Sequence, residues 1–258
     1  MIEQIKIGCA STKTTYGHRL DTTLVELNSD AKISGLFTSN KFKSAPVQIC
    51  LDQLEAKMKG KKMLAINAGN ANAATGKKGV SDAKKLIQEI SNITNISTTQ
   101  ILPFSTGVVG QLLDVKQLSS AFNKCFKNLS KNSWDDFAKA IMTTDTKSKI
   151  IKLPFKAGSK KYHIVGIAKG VGMIEPNMAT TLSYVFTDLK IPELTLRKLH
   201  KRICDKTFNA ISIDGDQSPS DSSILVATGS SGVNFKNYSK KIEKDIFSIF
   251  SKLSEKLV

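Results

Sequence analysis

The stretch AKGVGMIEPNMATT, Ala168 to Thr181, separates two strand-like runs near the middle of the chain. His163 to Ala168 leads into it and Leu182 to Thr187 follows it, both rich in β-branched or aromatic residues. Gly170, Gly172 and the Pro176-Asn177 pair break regular structure between them. Thr180 therefore sits where a tight loop feeds a strand, a place where a backbone carbonyl can be presented to a hydroxyl. Cutting the Ala179-Thr180 bond would give Thr180 a free α-amine beside its own hydroxyl. An amine that titrates at about 7.7–8.0 can act as general base for that weak nucleophile. An Ala-Thr pair at this place also suits the plain start of a strand.

Working outward, strand-like runs occur at Thr23 to Leu27, Met63 to Asn67, Gln100 to Phe104 and Ile224 to Thr228. Helical spacing lies between them. Ser81 can cap a helix with Ala83, Leu86, Ile87, Ile90 and Ile93 on one stripe. Ser133 can cap another that carries Trp134, Phe137, Ala138 and Ile141. Pro192 suits the first turn of a helix with Leu196, Leu199 and Ile203. From Ser239, Ile242, Ile246, Ile249, Phe250, Leu253 and Leu257 repeat at helical intervals. This alternation indicates an α/β or α+β protein. A boundary near Asp188 to Pro192 gives an N-terminal α/β domain over 1–190 and the beginning of a second domain over 191–258.

A chain of 258 residues, 40% apolar, can bury a substantial core. No apolar run approaches the length of a membrane span, and the N-terminus MIEQIKIGCASTK has no secretory pattern. Cys9, Cys50, Cys125 and Cys204 lie far apart without a CxxC pair, which speaks against zinc and for reduced, buried thiols in a cytoplasmic protein. The net charge of +16 raises nucleic acid as a partner. Against that, only Arg19, Arg197 and Arg202 among the 38 basic residues are arginine, and no basic stripe is interleaved with aromatics.

Other polar clusters have chemistry within reach. Ser105-Thr106-Gly107 follows a strand, where small residues let backbone N–H groups converge on an oxyanion; an ordinary turn would read the same. Lys169 could pair with the α-carboxylate of an amino acid, or stand on the surface like most lysines. Thr143-Thr144-Asp145-Thr146 after an apolar helix could contact substrate or simply close that helix. INAGNANAATG, Ile66 to Gly76, suits tight turns that support a site. Asp214, Gly215, Asp216 and Asp221 lack the further ligands of a calcium loop and read as turn residues.

Six ordered blocks resemble the ornithine acetyltransferase family, the bifunctional glutamate N-acetyltransferases of arginine biosynthesis. They are FTSNKFKSAPV (Phe37 to Val47), INAGNANAATG, STGVVG (Ser105 to Gly110), AIMTTDT (Ala140 to Thr146), AKGVGMIEPNMATT and FNAISIDGDQSPSD (Phe208 to Asp221). The resemblance implies an α+β fold of stacked αββα layers. It implies self-cleavage at Ala179-Thr180 into an α chain of 1–179 and a β chain from 180. Thr180 would be the nucleophile, Thr106 and Gly107 the oxyanion hole, and Thr146, Lys169 and Thr180 the substrate contacts. The implied reaction carries an acetyl group from N2-acetylornithine to glutamate through an acetyl-threonine, without metal or cofactor. Some members also take acetyl from acetyl-CoA, and the residues do not decide that point. An α₂β₂ assembly is implied, with no membrane or nucleic-acid partner.

The chain departs from the family pattern at Glu175, Thr181, Pro219 and Ser220, and Thr181 leaves a second threonine beside the cut. Family members are longer, with a glutamate and further substrate contacts beyond the position of Val258, so the second domain is expected to be incomplete. Two other readings stay open: a non-catalytic or partner-dependent remnant, and a related N-terminal-nucleophile peptidase.

Overall fold

A computed structural model of the chain describes residues 2–14, 16–157, 160–170, 182–210, 216–235 and 240–257. Ala179, Thr180, Thr181, Asp214 and Gly215 lie outside the described residues. One sheet contains β1 (Ile5–Ala10), β2 (Thr22–Leu27), β4 (Lys62–Asn70) and β5 (Ile101–Val108), in the order β1-β2-β4-β5. The other contains β3 (Lys32–Phe37), β6 (Lys149–Ala157), β7 (Lys160–Lys169), β8 (Leu182–Thr187) and β9 (Ser222–Ala227), in the order β3-β9-β8-β7-β6. Each sheet mixes antiparallel pairs with one parallel pair, β4 with β5 and β8 with β9. Each parallel pair is bridged by a helix, α2 (Gly76–Thr94) in the first case and α5 (Glu193–Lys206) in the second.

Strand alternation explains the stacking. In β4, Leu64 and Ile66 enter the same central cluster as Ile5, Ile7, Val25 and Phe104, together with Val165, Ile167, Tyr184, Phe186, Ile224 and Val226 of the second sheet. Met63 and Ala65 face the other way, against α1 (Ala45–Glu55), α2 and α3 (Val115–Lys127) through Ile49, Leu86, Ile90 and Phe122. The second sheet repeats the pattern: Ile164, Val185 and Leu225 pack on α5 and α6 (Lys240–Leu257) through Leu196, Ile203, Phe250 and Leu253. With successive side chains on opposite faces, both faces of both sheets are buried. The result is the expected αββα sandwich. The short α4 (Trp134–Ala140) enters the central layer, with Trp134 edge-on to Phe186 at 5.3 Å and Phe137 5.2 Å from Tyr184.

Some elements differ from expectation. The helix expected to begin at Ser81 starts at Gly76, so Ser81 is inside it. Pro192 is the residue before α5 and not part of its first turn. Four elements carry weak signals: β1, the edge strands β3 and β6 (the latter carrying Pro154), and the modestly amphipathic α1. The residues beyond 190 share the packing of those before it, because β9 lies between β3 and β8 and α5 rests on β3. All four cysteines are buried and free, and burial pushes the thiols of Cys9 and Cys204 up to about 12. Among the described residues, no helix is long and apolar enough to cross a membrane, and no group of three or more His, Cys, Asp and Glu could hold a metal ion.

His200 of α5 is fully enclosed, with Nδ1 2.9 Å from Ser34 Oγ of β3 and Nε2 2.9 Å from Ser223 Oγ of β9. Burial lowers its pKa from 6.5 to about 3, so the folded chain keeps it neutral where the unfolded chain protonates it. Its contribution is therefore fully present above pH 6.5 and is lost as pH falls from there toward 3, at up to about 1.4 kcal/mol per pH unit. Urea unfolding between pH 7 and 4.5 should show this slope in the native chain and a clearly shallower one in His200→Gln.

Candidate active site

The sheets meet the solvent at one shared end, where β5 and β7 finish and β8 and β9 begin. Thr106, near the end of β5, is buried. Lys169, the last residue of β7, is 5% exposed, and its Nζ donates to Thr106 Oγ1 at 3.1 Å. An ammonium only donates, so the Thr106 hydroxyl accepts here and keeps its own proton free for another acceptor. Burial lowers the Lys169 pKa below the ordinary lysine range, while Asp145 and Asp221 pull it back up. A buried ammonium is a strong charge-assisted hydrogen-bond donor, and here its side-chain partner is the Thr106 hydroxyl.

Gly107 has φ +127°, a backbone region open mainly to glycine. A Cβ there would lie 2.4 Å from the carbonyl carbon of Gly69 and 2.7 Å from the nitrogen of Asn70. The pairing of β4 with β5 shifts register at these same residues, so two backbones approach unusually closely beside Thr106. This crowding makes glycine obligatory at 107. The asparagines of the neighbouring loop explain how it is held. Ser105 Oγ donates to Asn67 Oδ1 at 2.6 Å, and Asn67 Nδ2 donates to the Asn70 carbonyl at 2.9 Å. Asn72, fully buried, donates to the Gly79 carbonyl at 3.0 Å.

Thr146 is exposed. Its neighbour Asp145 is the member of that cluster that reaches the end of β7: it is buried, and Oδ1 accepts from the Gly170 N–H at 2.9 Å. Within the Thr143-Thr144-Asp145-Thr146 run the family resemblance singles out Thr146 and not Asp145, although a lone acid among threonines is the available signal. The predicted nucleophile Thr180 and its neighbour Ala179 lie outside the described residues.

Hydrogen bonds link all six blocks picked out in the sequence. Thr38 Oγ1 donates to the Ser218 carbonyl at 2.7 Å and Thr38 N to the Asp221 carbonyl at 3.0 Å, joining the first block to the last. Ala45 N donates to the Asn72 carbonyl at 3.2 Å, joining the first to the second. Asn67 with Ser105, Thr106 with Lys169, and Asp145 with Gly170 make the remaining links. The ArgJ family model matches residues 4–258.

The chain belongs to the ArgJ family. It is 39% identical over 266 residues to an arginine biosynthesis bifunctional protein ArgJ from Colwellia psychrerythraea, a match covering 99% of this chain and 63% of that protein. A second ArgJ, from Methylococcus capsulatus, is 36% identical over 88% of this chain and 55% of its own length. The chain thus spans roughly three fifths of the curated relatives it matches. The crystal structure of an arginine biosynthesis bifunctional protein ArgJ from Bacillus halodurans superposes with a TM-score of 0.57 at 26% identity, covering 68% of this chain and 91% of that one. For this ArgJ chain, Gly107→Ala should lower unfolding stability by at least about 2 kcal/mol, because the crowding backbone has no room to give. Chemical denaturation reads it, and a change under about 0.5 kcal/mol, the range of an ordinary surface substitution, would contradict the close approach.

Proposed function

We propose that this ArgJ chain cleaves itself between Ala179 and Thr180 and then transfers an acetyl group from N2-acetylornithine to glutamate in arginine biosynthesis. The observation that carries the reading is the buried Lys169–Thr106 contact, which brings a carboxylate-binding cation and an oxyanion-stabilising hydroxyl together from different sheets. Thr180 is two residues from Leu182, whose partner across the sheet is Lys169.

In the self-cleavage step the Thr180 hydroxyl adds to the Ala179 carbonyl and the peptide C–N bond breaks. This leaves an ester on Oγ and a free α-amine on Thr180. Water hydrolyses the ester and leaves Ala179 as a carboxylate. In the transfer step, Thr180 Oγ attacks the acetyl carbonyl of N2-acetylornithine, and the Thr180 amine takes the hydroxyl proton. That proton passes to the departing ornithine amine as the C–N bond breaks. Thr106 and Gly107 stabilise the tetrahedral oxyanion. The glutamate amine then attacks the acetyl-threonine, the C–O bond breaks, and Oγ regains a proton. Lys169 and Thr146 hold the substrate, with Lys169 on its α-carboxylate. No metal or cofactor enters these steps, acetyl-CoA is a second candidate donor, and the cleaved protein is read as a cytoplasmic α₂β₂ assembly.

Intact mass under denaturing conditions tests the first step. Two fragments that join at Ala179-Thr180, and a single uncut mass for Thr180→Ala, are expected. An uncut native chain would overturn self-cleavage by this polypeptide. Where transfer is measured directly, Thr106→Val should lower kcat about 10²–10³-fold, the usual effect of deleting an oxyanion donor. Peptide hydrolysis in place of acetyl transfer would identify a peptidase instead.

A further inference from the structure

Asp145 holds two backbone segments at once. Its Oδ1 accepts from the Gly170 N–H at 2.9 Å and its Oδ2 from the Thr143 N–H at 3.0 Å. The Gly170 peptide is also gripped at its carbonyl, which accepts from Lys149 Nζ at 3.3 Å. Gly170 directly follows Lys169 and opens the 171–181 stretch that contains the proposed cut. The turn carrying Asp145 is itself anchored. Arg19 donates to the Met142 carbonyl at 2.7 Å and to the Thr143 carbonyl at 3.4 Å, and its guanidinium lies 3.8 Å from the centre of the Tyr16 ring. Two consecutive residues, Gly170 gripped at its backbone and Lys169 at its side chain, are thus fixed at the end of β7.

We propose that Asp145 is a positioning residue, whose buried carboxylate fixes Gly170 and balances the Lys169 ammonium so that this lysine can receive the α-carboxylate of an amino-acid substrate. The role rests on the acetyl-transfer reading above for its substrate, and on the described geometry for its effect on Lys169. Asp145 and Asp221 act electrostatically on Lys169, the Lys149 ammonium reaches the Gly170 carbonyl beside it, and Asp145 also acts on Tyr16, whose ring Arg19 covers. Burial alone drives the ammonium toward its neutral form, and Asp145 is the leading group that opposes this. A neutral amine would bind a carboxylate poorly, so the acid works through the lysine and need not touch substrate.

The test is an NMR titration of the Lys169 side chain in the full chain, with its resonance assigned by comparison with Lys169→Arg. In Asp145→Asn the Lys169 midpoint should fall by about 1–3 pH units, the usual effect of one adjacent opposite charge, and Asp145→Glu should restore most of it. An unchanged midpoint in a folded Asp145→Asn chain overturns the proposal. Should that variant fail to fold, Asp145→Ser, which keeps a short acceptor for the Gly170 N–H, is read in the same way, and an unchanged Lys169 midpoint in it overturns the proposal. Steady-state transfer separates the two readings. With transfer present, Asp145→Asn should raise KM for N2-acetylornithine about tenfold and change kcat less. A native chain that transfers nothing, yet whose Lys169 midpoint falls in Asp145→Asn, supports the positioning role and removes the reaction assigned to it.

Discussion

Burial of both faces of both sheets is the constraint from which the rest of the architecture follows. A sheet covered on one side by helices and on the other by a second sheet has no face for polar residues, so its central strands are apolar at consecutive positions. β4 shows this in Met63-Leu64-Ala65-Ile66, and β8 and β9 are buried along their whole length. At about 25 cal/mol per Å² of apolar surface, these layers supply the dominant favourable term, and any polar group within them needs a partner. The His200 ring lodged between Ser34 and Ser223 is tolerated on those terms.

Polar chemistry is therefore pushed largely to the ends of the strands: His163, Thr187 and Asp188 share one end, and Lys169 with Thr106 the other. Lys169 and Thr106 close the gap between the sheets there, and Asp145, Asn67 and Asn72 tie down the loops around them. β5 runs toward this rim and β8 and β9 run away from it, so the end of one parallel pair meets the start of the other. The six sequence blocks, scattered from residue 37 to residue 221, are spatial neighbours for this reason. Electrostatics marks the place: a lysine on the surface would be one of many, while this one is enclosed, with its pKa lowered by burial and raised again by Asp145 and Asp221.

Much of this was legible in the chain. The β8 limits are plain in LSYVFT, which is short, rich in β-branched and aromatic residues, and preceded by Gly and Pro-Asn breakers. The amphipathic faces of α2, α4, α5 and α6 were legible for the matching reason, a sustained helical period. Edge strands were hidden because exposure dilutes their pattern: β3 has Gly35 in its middle, beneath Leu54 and Phe37. Lys169 and Thr106 could be nominated from the family blocks, but their contact could not, since 63 residues separate them and only the fold closes that distance. Asp145 shows the limit most clearly. Its importance depends on the Gly170 amide, which no local spacing connects to it.

The position of β9 has a temporal consequence. The strands of the four-stranded sheet are all made by residue 108, but β3, made by residue 37, pairs with β9 at residues 222–227. At synthesis rates of about 5–20 residues per second, β3 waits on the order of ten to forty seconds on the ribosome for its neighbour. Long-range pairing of this kind is slow to form, because the loop must close before any contact rewards it. The half of the site built on Thr106 therefore exists before the half built on Lys169 has its completed sheet. An arrangement that needs both halves is therefore complete only once residue 227 has been made.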